Sequence, residues 1–398
     1  MLFHITATLL TIIFARGGGG GHGGGGHSGG SYGGGGYGGA GGSGSSSWWE
    51  FIPVVIFILI YAYSAIQGRK NKSKAPKKSE LQWPADFGAD EVTKIFLAFQ
   101  SDWSSFSLKS MQTYTTPQYY YSLSLMLSAL DQMGRQNLME NVRLLSCYPI
   151  NESDDSSVSQ GMVVVVNGSA KDSLIDKLSG NVFYTDTSQF SEYWYFTKID
   201  GAWKLSDITQ VTESENVLHP AIQDFAQKNN FLYSGEWGSL LMPTRGELFS
   251  KANFARSAIN DHVIGTYKNT IIEFYTYLPD KNYPESHTVA QVILPKSYGQ
   301  IIVHRNSGIL NMTPKGMTKV TLEWPDFNKK YSVFASDTEK VTSLELLNPL
   351  YMVKLEELPF VVNIEVVDNV VYLHTDQALP DYTPMMEILY LAFKEMRM

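Results

Sequence analysis

The sequence predicts an α+β protein: a single transmembrane helix, then a cone-shaped domain of helices and a curved antiparallel sheet, then a second, smaller α+β domain. Three observations carry this. The run Trp48–Ile66 is 19 residues long with almost no polar side chain on any face, enough to cross a hydrocarbon core. Apolar residues then recur at helical spacing from Asp86 to Leu130, and strand-like β-branched runs take over from Val142. A second series of strand-like runs fills residues 262–374, with helical patterns at 341–358 and 383–398.

Four segments make up the first eighty residues. Residues 1–15 are apolar but too short to span a bilayer; they fit a signal-peptide h-region, although no Lys or Arg precedes the run. An uncleaved, membrane-touching segment is the alternative. Residues 16–47 hold 20 of the 34 glycines and read as a flexible extracytoplasmic tether; His22 and His27 within it are solvated. Residues 48–67 form the transmembrane helix, about 28 Å over Trp48–Ile66 at about 1.5 Å per residue. Trp48 and Trp49 mark one interface, and Tyr61 and Tyr63 lie near the other. Residues 68–80 carry six positive charges, beginning with Arg69 and Lys70, against Arg16 alone on the other flank. Positive flanks stay in the cytoplasm. The expected place is the plasma (inner) membrane, single-pass, with the N-terminus outside and the folded domains in the cytoplasm.

Charge narrows the partners. Residues 1–78 contain seven basic residues and one acid, so the remainder holds 24 basic against 38 acidic, a net charge of −14. Such a region repels phosphate backbones, and nucleic acid is not expected as a partner. Cys147 is the single cysteine, which excludes an internal disulfide and a cysteine-based metal cluster. His262, His287, His304 and His374 are scattered, with no HxH or HExxH spacing, and beyond the glycine tract there is no GxxxxGK, GxGxxG or GxSxG motif. Neither metal nor cofactor is expected. The Asn-x-Ser/Thr matches at Asn151, Asn167 and Asn311 carry no weight.

Residues 81–229 are read as the first domain. Val92, Ile95, Phe96, Phe99, Trp103 and Phe106 form one helical stripe across Asp86–Leu108. Thr116-Pro117 starts a second helix, and Gly134 is placed to end it. Strands follow at Val142–Tyr148, Gly161–Ala170, Phe190–Ile199 and Ala202–Thr209, the last two joined by the hairpin signal Asp200-Gly201. The pieces IFLAFQSDW, YTTPQYY, NLMENVRLL and SEYWYFTKIDGAWKLSDI resemble the C-terminal domain of the forty-four-kilodalton subunit of the mitochondrial presequence translocase and its bacterial relatives. That resemblance covers about a third of the chain. It implies a nuclear-transport-factor-2-like (NTF2-like) fold, a cone with an apolar pocket, and a scaffolding role beside a membrane. No motor-binding segment is matched, so the import role is not implied.

Trp103, Tyr121, Tyr193, Trp194 and Trp203 are the candidate pocket residues, although aromatics at such spacing also build cores. Asp172 and Tyr114 are the acid and hydroxyl that an enzyme on this fold would use. No histidine lies between Asp86 and Gln210. Residues 230–398 are read as the second domain, after a closing or bridging helix at 217–228. It opens on the loop GEWGSLLMPTRGELF, and Asp368-Asn369 marks a tight turn. Its segment KKYSVFASDTEKVTSLELLNPLYMVKLEEL resembles a bacterial membrane-associated domain of unknown function.

These readings lead to a membrane-anchored, non-catalytic binding or scaffold protein, with the bilayer and an unidentified protein, peptide or lipid as partners. The alternative is a tethered enzyme using the cone as an isomerase or hydrolase pocket.

Overall fold

The computed structural model describes residues 82–150, 161–210, 218–234, 237–249, 259–278, 286–306, 313–336 and 340–396. The expected signal-like segment, glycine tract, transmembrane helix and basic linker lie outside the described residues. Among those described, no helix is long and apolar enough to cross a membrane.

Helices come first. α1 (Ala89–Ser105) buries Val92, Phe96, Phe99, Gln100 and Trp103. It stops short of Leu108 because Phe106 turns left-handed, with φ 58°, and a separate helix α2 (Leu108–Tyr114) follows. α3 (Pro117–Gln132) begins where its sequence marks it: the Tyr119 N–H donates to the Thr116 hydroxyl at 3.3 Å. Gly134, at φ 66°, leads out of it.

Five antiparallel strands wrap these helices. β1 (Arg135–Ile150), β2 (Gly161–Asp176), β4 (Gln189–Ile199) and β5 (Ala202–Gln210) lie in that order, and β3 (Val182–Asp186) pairs with β2. Register breaks at Glu140/Arg143, Leu144/Ser146 and Tyr195/Phe196 are the bulges that curve the sheet. The β4–β5 turn is the one the sequence marks, with Asp200 and Gly201 both at positive φ. Along β4, Phe190, Glu192, Trp194 and Phe196 are buried, while Ser191, Tyr193 and Tyr195 on the opposite pleat are half-buried.

The second sheet has nine strands. They are β6 (Leu232–Tyr233), β7 (Ile259–Tyr267), β8 (Thr270–Tyr277), β9 (His287–Ile293), β10 (Gln300–Arg305), β11 (Thr318–Val320), β12 (Tyr331–Ala335), β13 (Asn363–Val367) and β14 (Val370–Thr375). Their order is β11-β12-β10-β13-β14-β9-β8-β7-β6. What the sequence reads as one run over 262–277 is a hairpin, turned by Lys268 and Asn269 at φ 48° and 62°. The Asp368-Asn369 turn stands where expected, between β13 and β14.

The two faces of this sheet differ in chemistry. One presents apolar side chains such as Val263, Phe274, Val292, Val303, Ile364 and Leu373, all in one core cluster. Helices α4 (Pro220–Asn229), α5 (Pro325–Lys330), α6 (Lys340–Leu346), α7 (Pro349–Glu356) and α8 (Thr383–Met396) supply the rest of that cluster. The sequence pattern over 341–358 is two helices rather than one. Pro349 has no N–H to continue the first, and the Asn348 side chain caps the second by accepting from Tyr351 N at 3.0 Å. α4, placed by sequence before the domain boundary, packs instead into this second core, with Phe225 4.9 Å from Phe274 and 5.6 Å from Tyr382 between ring centroids.

The opposite face is polar and aromatic, and residues 237–249 lie across it as a strap. Trp237 packs 5.3 Å from Trp103 of the first unit. Leu240 and Leu241 join the same core cluster as α1, α3, β2 and β4. The first hydrophobic core therefore draws on both units. Two glycines let the strap lie this close. A side chain on Gly238 would sit 2.6 Å from the His262 ring, and one on Gly246 (φ 142°) would collide with the Tyr372 hydroxyl and the Glu365 carboxylate.

A chain beginning at Leu81 is expected to be soluble and to unfold in one transition, because the strap belongs to both units. Gly246→Ala adds backbone strain and a collision, and should cost about 2–5 kcal/mol in chemical denaturation. Two separate transitions in the unsubstituted chain would show that the cores are independent.

Candidate functional site

The concave side of the first sheet is the place where a cone-shaped domain would hold a ligand. Here it is filled. Trp103 and Trp194 are fully buried, with Phe99 5.6 Å from Trp194 and stacked on Trp103 at 6.3 Å. The strap's Trp237 closes the packing, 5.3 Å from Trp103 and 6.0 Å from Tyr119.

Polar groups inside are engaged with one another. The Trp103 indole donates to Asn137 Oδ1 at 2.9 Å, and Asn137 Nδ2 donates to Asp172 Oδ1 at 2.6 Å. The Tyr184 hydroxyl also reaches Asp172, at 3.5 Å. Trp194 donates to the buried Glu192 at 2.9 Å. Tyr114 lies elsewhere, donating to Asp102 at 2.9 Å, and burial together with that carboxylate pushes its hydroxyl pKa up. Asp172 and Tyr114 therefore have separate partners. The Gln100 side-chain amide and the Trp237 indole N–H stand apart: both are buried, with no hydrogen-bond partner among the described residues.

The five aromatic candidates do not converge on one cavity. Trp103 and Trp194 are core. Tyr121 is 42% exposed on α3. Tyr193 lies on the outer pleat of β4. Trp203 is at the β4–β5 hairpin, 5.3 Å from Phe87, with its indole donating to Asp86 at 3.3 Å. Trp48, Trp49, Tyr61, Tyr63, Arg69 and Lys70, which the sequence reading expects to anchor the chain, lie outside the described residues.

A second polar assembly, not singled out in the sequence, lies beneath the strap. The Ser234 hydroxyl meets Nδ1 of His262, whose Nε2 meets Glu273 at 2.9 Å. Gln291 donates to Glu273 at 3.1 Å and to the Leu241 carbonyl at 2.8 Å, and accepts from the Tyr275 hydroxyl at 2.7 Å. The buried Arg135 donates to the Leu240 carbonyl at 2.6 Å. Burial lowers its pKa to about 10, with nearby Glu273 opposing, so it keeps its charge at neutral pH.

Residue types match a Ser-His-Glu triad, but the arrangement does not serve nucleophilic attack. Serine and glutamate sit on the reverse nitrogens from a serine hydrolase. All three side chains are buried, and the Gly238 backbone covers the imidazole. The assembly is a clasp for the strap. The one available sequence signal is Gly238 and Gly246 within GEWGSLLMPTRGELF.

Further along the strap, the backbone N–H groups of Glu247 and Leu248 donate to Glu365 at 2.7 and 3.2 Å. Burial alone would raise the Glu365 pKa, but His374, 3.4 Å away, together with Tyr372 and the Glu247 N–H, holds it below its ordinary value. Burial raises Glu247, with His304 3.9 Å away opposing. Among the described residues no three His, Cys, Asp or Glu side chains are placed to hold a metal ion.

Openings among the described residues reach solvent, two of them large. A cleft of about 660 Å³ lies where the units meet, lined by Arg135, Lys177, Asp176 and Asp368 among others. Of its charges, Lys177 pairs with Asp131, and Asp368 pairs with Arg245 nearby, both at 2.5 Å. A groove of about 580 Å³ runs between α7 and α8, with apolar and lysine side chains lining it.

No family model and no curated protein matches the chain. Among solved structures, it is similar to the mycobacterial trehalose monomycolate transport factor A, at 10% identity and TM-score 0.34, over 44% of this chain and 93% of that one. The intermembrane space region of the chloroplast protein ARC6 gives 13% identity and TM-score 0.26, over 32% and 98%. An NTF2-like protein involved in plasmid conjugation gives 10% and 0.19, over 49% and 83%. At these TM-scores none of the three assigns this chain a fold or a role.

Gln100→Leu removes a buried amide without a partner and should raise stability by about 1–3 kcal/mol in denaturant titration; destabilisation would mean that the amide is satisfied in solution. Glu365 has a lowered folded pKa, so its contribution is complete above the ordinary value of 4.5 and is lost as pH falls through the lowered one. Glu365→Gln should flatten that acid limb of the stability profile, and an unchanged limb would place its origin elsewhere.

Proposed function

We propose that this chain is a membrane-tethered, non-catalytic binding or scaffold protein whose acidic folded region stands on the cytoplasmic side of the plasma membrane. One observation supports the binding reading above the others. The interior in which an enzyme on such a fold would hold its substrate is packed with the chain's own Trp103, Trp194 and Trp237, and the buried Asp172 is tied to Asn137 and Tyr184. Recognition then falls to outer surfaces. The order of three helices followed by antiparallel strands curved around them is in keeping with the NTF2-like domain that the resemblance implies. Tethering is supported by the sequence alone: the apolar length of Trp48–Ile66 and the six positive charges that follow.

Protease added to right-side-out vesicles should trim the glycine tract and spare everything after Ser79; digestion of the folded region with a protected N-terminus would reverse the orientation. Affinity purification of the full chain from detergent-solubilised membranes should retain a partner, and Asp172→Asn should leave that retention unchanged. A turnover abolished by Asp172→Asn in a folded protein would make the chain an enzyme.

A further inference from the structure

Four of the ten exposed large apolar side chains among the described residues, Val341, Leu344, Leu350 and Val353, lie on α6 and α7. Leu350, 58% exposed, opens onto the groove between α7 and α8, where Pro384, Ile388 and Leu391 continue the apolar lining. A concave apolar trough of about 580 Å³ lies in the size range of small-molecule sites.

The polar groups of the groove are also specific. Lys268, Lys354 and Lys394 line it together with Glu357 and Glu387. Glu357 holds Lys354 at 2.6 Å. Lys268 is fixed with its ammonium 4.7 Å from the ring centroids of both Tyr267 and Tyr390, a cation–π seat that orders it in advance of any ligand. Three ammonium groups against two carboxylates leave one positive charge beside an apolar trough, in a folded region whose net charge is −14.

We infer that this groove binds one monoanionic amphiphile, with its acyl chain along α7 and α8 and its headgroup at Lys268 and Lys394. The inference rests on the binding reading above and names its ligand class. Charge and shape select this occupant. A single anionic headgroup balances the one unpaired positive charge, and an acyl chain follows a narrow trough. An extended anionic bilayer would meet Glu357, Glu387 and the acidic remainder of the fold, and would be repelled.

Native mass spectrometry of the full chain released from detergent tests this, with oleate and the neutral oleyl alcohol titrated separately. One saturable oleate adduct is expected, with oleyl alcohol about tenfold weaker. The double variant Lys268→Gln/Lys394→Gln should weaken oleate about tenfold and leave the weak oleyl alcohol binding as it was. Leu350→Asp, at an exposed position, should weaken both, while Lys315→Gln changes neither; melting curves check that each variant is folded. Equal affinity for the two probes, many non-saturable adducts, or an unchanged double variant would overturn the inference. So would a protein partner lost on Leu350→Asp in the absence of any oleate adduct, although that result would leave the binding reading standing.

Discussion

The Arg135 guanidinium, buried and donating to the Leu240 carbonyl, sits where the two halves of the protein meet. A buried cation is tolerated only where acceptors and countercharge surround it. Leu240 supplies the acceptor from the strap, and Glu273 supplies countercharge from the second sheet. Neither unit could bury Arg135 alone. The aromatic packing follows from the same placement, since the turn that presents the Leu240 carbonyl also sets Trp237 against Trp103 and Tyr119.

The second sheet depends on that joint in another way. Its helix-covered face is apolar and packs against α4 to α8. The other carries His262, Glu273, Gln291, Glu365 and Tyr372, which are expensive to bury unless hydrogen-bonded. The strap answers them with backbone groups: the Leu241 carbonyl for Gln291, and the Glu247 and Leu248 amides for Glu365. Backbone can approach so closely because Gly238 and Gly246 have no side chain. Polar burial here fixes the position of a connecting segment, which an apolar interface would leave free to slide.

Local signals were legible in the sequence. Thr116-Pro117, Asp200-Gly201 and Asp368-Asn369 each act through their own backbone geometry, and the structure places them as read. The apolar spacing over 341–358 runs on through Asn348-Pro349 as if through one helix, although proline must interrupt it. The apolar stripe of α4 names no partner, which leaves a closing and a bridging role both open in the sequence; Phe225 finds Phe274 and Tyr382, distant in sequence. The candidate pocket failed to assemble for a related reason. Alternation along β4 says that Trp194 and Tyr193 face opposite ways, but only the tertiary structure shows that the concave side is already occupied. The clasp at His262 was illegible because its members come from β7, β8, β9 and residues before the strap, with no spacing to betray them.

The strap has a consequence for biosynthesis. Residues 89–210 leave the ribosome as a complete set of helices and strands, yet the aromatic interior they enclose lacks its lid. Trp237 to Leu241 emerge roughly thirty residues later, a delay of a few seconds at about 5–20 residues per second. The polar face that positions the lid is finished only with β13 and β14, near the end of the chain. Through this interval Trp103 and Tyr119 lack the ring of Trp237 that packs on them in the finished fold. Vectorial synthesis thus creates a transient, adhesive intermediate that the finished fold conceals.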